Sequence, residues 1–179
     1  MQHRRHRIDA GFGLVEVLVA SGLLVAVALG VTHVVAASVR VSREARVRTM
    51  STTLAAQKME QLRSLTFAHA LVGDPPASVP ASDSSTDLST DPPSDSGPGL
   101  QSSPRGTLDA SVPFYVDYLD AFGAWVGRGA SAPPRTAYTR RWAVQPLPAD
   151  PDNALVLQVA VTTAWGDESR LVTVKARRP

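Results

Sequence analysis

The chain has 179 residues, with 18 Lys plus Arg against 16 Asp plus Glu. That length allows one modest domain with extra segments, and a formal charge of +2 gives no general argument for a polyanionic partner. No cysteine is present, which excludes disulfides and thiolate metal sites.

Residues 1–11 form a short polar leader in which Arg4, Arg5 and Arg7 precede Gly11. Residues 12–39 are almost continuously apolar, interrupted by Glu16, Ser21, Thr32 and His33. As a helix this run is about 42 Å long, enough to cross a ~30 Å hydrocarbon core with tilt. It lacks proline, and Gly13, Gly22 and Gly30 are tolerated in membrane helices. An ordinary secretory signal is the competing interpretation, with Val35-Ala36-Ala37 as a small-residue cleavage site ahead of Ser38. The run is much longer than the usual stretch of about 7–15 apolar residues in such signals and has an acid near its start.

From Arg40 to Phe67 the helical pattern continues in a more polar form. Val47, Met50, Leu54, Leu62 and Leu65 share one arc of a 3.6-residue wheel, on which Lys58 intrudes. Arg40, Glu44 and Arg48 are spaced for i,i+4 pairs on the exposed side. No glycine or proline interrupts residues 31–72, so the pattern predicts one helix from about Phe12 to Leu65, spanning roughly 80 Å. Its first half is the transmembrane part and its second half is amphipathic.

Residues 68–106 are rich in Ser, Pro and Asp, most strongly from 73 onward. So few apolar groups do not offset the entropy of ordering, and a flexible loop is expected. Residues 107–179 read as antiparallel sheet. Tyr115–Leu119 and Ala124–Gly127 flank a turn at Asp120–Gly123, and Tyr138, Trp142 and Val144 alternate with Thr139, Arg141 and Ala143. Leu155, Leu157, Val159, Val161 and Trp165 form a further apolar alternation, and Val172, Val174 and Ala176 return after a turn at Gly166–Ser169. The expected fold class is α+β, with a long N-terminal helix whose amphipathic half covers the apolar face of a small antiparallel sheet.

The stretch Gly11-Phe12-Gly13-Leu14-Val15-Glu16-Val17-Leu18-Val19-Ala20 follows the basic leader. It resembles the class III signal of type IV prepilins: glycine, then phenylalanine, then glutamate as the fifth mature residue. That resemblance implies cleavage between Gly11 and Phe12 by a membrane prepilin peptidase, followed by N-methylation of Phe12. It also implies that Glu16 pairs with the N-terminal amine of a neighbouring subunit during assembly. A carboxylate near the start of a membrane helix costs up to a few kcal/mol if it sits deep, so a cationic partner is physically apt. Leu54-Ala55-Ala56-Gln57-Lys58-Met59-Glu60-Gln61-Leu62-Arg63 is similar to the helix end of minor pilins of the pilus-modification type and of minor pseudopilins. Val116–Asp120 and Tyr138–Trp142 resemble strands of the same group more loosely.

Gly13 replaces the small hydroxyl residue usual at the second mature position, His33 lies near the place of a mid-membrane proline, and a C-terminal disulfide loop is missing. These departures favour a minor subunit. The expectation is a minor type IV pilin that is not an enzyme, with a minor pseudopilin of a type II secretion system as the alternative. A non-polymerising, single-pass anchored binding module is the third reading. Its partners by this resemblance are the prepilin peptidase, other pilins or pseudopilins, an inner-membrane assembly platform and membrane lipid, and it needs no cofactor. The leader is expected in the cytoplasm and the C-terminal domain outside it. This orientation rests on the resemblance, because Arg40, Arg43, Arg46 and Arg48 balance the leader arginines.

Other chemistry is weaker. His3, His6, His33 and His69 have no metal-ligand spacing, and no metal site is expected. Asp150-Pro151-Asp152-Asn153 lacks the glycine and closing glutamate of an EF-hand and reads as a polar turn. Asp117 and Asp120 lack a partner suggesting acid–base work, and no serine or histidine sits in a nucleophile motif. Arg128, Arg135, Arg140 and Arg141, interleaved with Tyr138 and Trp142, together with Lys175, Arg177 and Arg178, would neutralise phosphates if they clustered on one face. A solvated strand face opposite buried Tyr138 and Trp142 is the expectation, and nucleic acid is not expected as a partner.

Overall fold

A computed structural model describes residues 13–69 and 82–178. The described chain divides into two compact units, one ending at Ala45 and the other beginning at Arg46. A single helix, α1 (Leu14–Ser64, 51 residues), contributes to both. Gly11 and Phe12 lie outside the described residues.

From Leu14 to Val39 α1 is almost continuously apolar and exposed on all sides, with Leu14 at 80% exposure and Val39 at 62%. It is long and apolar enough to cross a membrane. Gly13, Gly22 and Gly30 have open space where a Cβ would stand.

The second unit, the head, contains the remaining helix and a five-stranded antiparallel sheet. Its strands are β1 (Val116–Leu119), β2 (Trp125–Arg128), β3 (Tyr138–Leu147), β4 (Asp150–Thr163) and β5 (Glu168–Ala176), in the order β2-β1-β3-β4-β5. The α+β layout expected from the sequence is present. Along α1 the buried residues are Ser51, Leu54, Ala55, Lys58, Met59 and Leu62, the i, i+3, i+4, i+7 stripe of a helix lying on a sheet. Opposite them the inner sheet face presents Leu119, Tyr138, Trp142, Val144, Leu155, Leu157, Val159 and Val161. Each large side chain so covered contributes roughly 1.5–3 kcal/mol of transfer free energy. At the end of α1, the Lys175 ammonium donates to the Arg63 carbonyl (2.5 Å) and the Ser64 hydroxyl to Gln61 (2.8 Å), satisfying carbonyls left over by the last turn.

Two expectations are corrected. Residues 82–106 carry no regular strand, yet they pack on the head instead of forming a flexible loop. Leu88 and Leu100 are buried with Asp87, Ser89 and Ser103. The polar residues supply what apolar area does not. Asp83 accepts from the Ser85 and Thr86 amides, Asp87 and Ser94 exchange backbone hydrogen bonds, and Ser103 donates its amide to Val144 (2.8 Å).

The second correction concerns β5, which lies in the opposite phase from that expected. Val172 and Val174 are 60% and 55% exposed, and Leu171, Thr173 and Lys175 face inward, opposite Val159, Leu157 and Leu155. Trp165 likewise leaves the core alternation and stands exposed in the β4–β5 turn.

Candidate functional site

Of the site residues expected from the sequence, Glu16 is described and falls in the first unit. Glu16 lies exposed in the first turn of α1, where the Gly13 carbonyl accepts from the Glu16 amide (2.9 Å) and more weakly from Val17 (3.3 Å). A negative side chain suits that end of a helix, because the unsatisfied amides there carry partial positive charge. From Leu14 to Val39 it is the only Asp, Glu, Lys or Arg. Gly11 and Phe12, the expected cleavage pair, are outside the described residues, so the geometry of cleavage is not part of this site.

A second polar arrangement lies in the head and was not anticipated. Asp117 on β1 accepts a two-pronged pair from Arg140 on β3, Nε to Oδ1 at 2.9 Å and Nη2 to Oδ2 at 2.7 Å. The same Oδ2 meets the Lys58 ammonium at 2.9 Å. Lys58 also donates to the Leu88 carbonyl (2.6 Å) and stands 4.4 Å from the centre of the Trp142 ring. Arg140 Nη1 donates to the Leu54 carbonyl (3.1 Å). All three side chains are buried. Burial pushes the Lys58 ammonium down to about 8, with the attraction of Asp117 opposing the shift and nearby Arg140 adding to it.

Chemically this cluster joins chain segments. A cleft of about 560 Å³ opens above the cluster between α1 residues Gln57 and Gln61, the Trp125 ring and Asp91.

The signals were available. Lys58 interrupts the apolar arc of the helix, and Arg140 shares strand parity with Tyr138 and Trp142, so both had to point inward. For Arg140 this corrects the expectation of a solvated arginine face opposite Tyr138 and Trp142, whereas Arg141 does lie on that opposite face and Arg135 is exposed. Arg140 is buried on their own side, Arg128 is held by Asp87, and Arg141 reaches Ser111 (3.3 Å) and Thr162 (3.5 Å). Asp117 has two cationic partners where none was foreseen. Asp150 opens β4 and accepts from Asn153 (3.0 Å), and no His, Asp or Glu group suited to a metal occurs among the described residues.

The chain matches no protein-family model, no curated protein and no solved structure.

Proposed function

We propose that the chain is a minor subunit of a type IV pilin-like filament, made as a membrane-inserted precursor, cut after Gly11 by a prepilin peptidase and N-methylated on Phe12. The observation that carries this reading is the exposed, apolar first part of α1, whose single charged residue is Glu16 in the first turn. Such a surface needs a non-aqueous environment. A bilayer supplies it before assembly, and packed helices of sister subunits supply it afterwards. In either setting the Glu16 carboxylate is costly without a cation, and cleavage at Gly11-Phe12 creates one at a neighbouring helix tip. Packing of the apolar helices then provides adhesion, and the acid–amine pair sets the axial register between subunits.

On this reading the head lies outside the cytoplasm and the assembly machinery draws the helix out of the inner membrane into a pilus. Mass spectrometry of the mature protein should find N-methylated Phe12 at its start. In Glu16→Ala the same cut should occur while incorporation into filaments falls severalfold. A mature chain that begins at Met1 or at Ser38 would overturn the proposal.

A further inference from the structure

Leu119, Tyr138 and Thr163 form one row across the sheet, through the pairings Leu119↔Tyr138 and Tyr138↔Thr163. The β1–β2 turn follows Leu119 and the β4–β5 turn follows Thr163, so both turns leave the same end of the head. The helix enters the head at this end as well. Gly123, with φ 81°, sits so close to α1 that a Cβ there would come within 2.5 Å of Met50 Cε. The far end of the sheet holds Lys175, which caps the Arg63 carbonyl. Arg46, the first residue of the head, is therefore at the end that bears these two turns.

Each of the two turns displays an aromatic ring to solvent: Phe122 is 87% exposed and Trp165 68%. Their backbones are held. The Asp120 carboxylate accepts from the Phe122 and Ala124 amides (2.8 and 3.0 Å), and the Thr163 hydroxyl accepts from the Asp167 amide (3.1 Å). The β3–β4 turn at the opposite end, Pro148-Ala149, carries no aromatic residue. Large rings on ordered turns, at the end from which an apolar helix departs, suit the boundary between lipid and water, where one face of the ring is apolar and its surroundings are wet.

Chain length agrees. Val41 is the last exposed large apolar residue of α1 before the head, and Val47 packs against the core. Only residues 42–46 lie between them, a tether that spans no more than about 20 Å even when fully extended.

We propose that the end of the head bearing the turns at 120–123 and 164–167 rests in the head-group layer of the bilayer, with Phe122 and Trp165 as interfacial anchors. This rests on residues 12–39 crossing a bilayer and does not depend on filament assembly. The docked head would wait at the membrane surface in a fixed posture, and extraction into any assembly would have to lift both rings out of the interface.

The chain has no native cysteine, so single nitroxide labels are clean. The full-length protein is labelled in turn at Ala28→Cys, Ala121→Cys, Ala164→Cys and Ala149→Cys and placed in phosphatidylcholine nanodiscs. Collision with oxygen, which prefers lipid, is compared with collision with a water-soluble nickel chelate. Labels at 121 and 164 should favour oxygen severalfold over the label at 149, and Phe122→Ser with Trp165→Ser should abolish the difference. If 28 is lipid-exposed while 121 and 164 match 149, the docking proposal is wrong and the anchor stands. If 28 is itself aqueous, the membrane reading fails and docking fails with it.

Discussion

Asp117 is one carboxylate shared by two buried cations, with both oxygens accepting from Arg140 and one also from Lys58. Removing it leaves two desolvated positive charges facing each other. Asp117→Ala should therefore cost about 3–5 kcal/mol in urea unfolding, well above the cost of losing an exposed pair such as Arg63–Glu60.

Lys58 itself gives a pH signature. Its folded pKa of about 8 lies below the ordinary 10.5, so between those values the unfolded chain binds more protons. The contribution of this group to stability thus rises with pH from about 8, by on the order of 3 kcal/mol once pH 10.5 is passed. Lys175, lowered chiefly by burial, adds in the same direction. Tyr115, raised by burial, works the other way above pH 10. Urea midpoints of the full chain in detergent, compared at pH 7.5 and 9.5, should increase, and most of the increase should vanish in Lys58→Met.

The two parts of α1 have opposite relations to the head. Leu62 is fully covered by it, whereas Leu24 is 71% exposed in the apolar part. Leu62→Ala should destabilise the head by about 2–5 kcal/mol through lost burial and a residual cavity. Leu24→Ala should leave head unfolding unchanged within about 0.5 kcal/mol, since it removes an exposed side chain from outside the head core. Equal losses at both positions, read from near-ultraviolet circular dichroism in urea, would contradict this division of the helix.

At the scale of the whole molecule, α1 was legible because its signal is long. An unbroken apolar run followed by a 3.6-residue stripe has few alternative readings, and the observed Leu14–Ser64 lies within two residues of the expected limits. The core of β3 and β4 was legible for the same reason at a period of two. β5 was not. It is an edge strand, and its phase was assigned from the apolar character of Val172 and Val174, whereas pairing with β4 sets Leu171 against Val159 and turns the valines outward. Residues 82–106 escaped because their order comes from hydrogen bonds made by Asp83, Asp87 and Ser103, which composition does not reveal. The buried charges were missed for a related reason. The inward positions of Lys58 and Arg140 were legible singly, but that they meet Asp117 in space, which makes their burial tolerable, was not.

That meeting has a consequence for how the head breathes. Through Leu54, Lys58, Leu88, Asp117 and Arg140, one knot binds the helix, the Ser/Pro-rich segment and two strands, although these are as much as 86 residues apart in the chain. None of them can peel away without stranding charge in the others, so fluctuations at these places should be concerted. Cutting the knot with Asp117→Ala should then loosen amide protection around residues 54–59, 88–90 and 138–142 together, and not in β1 alone.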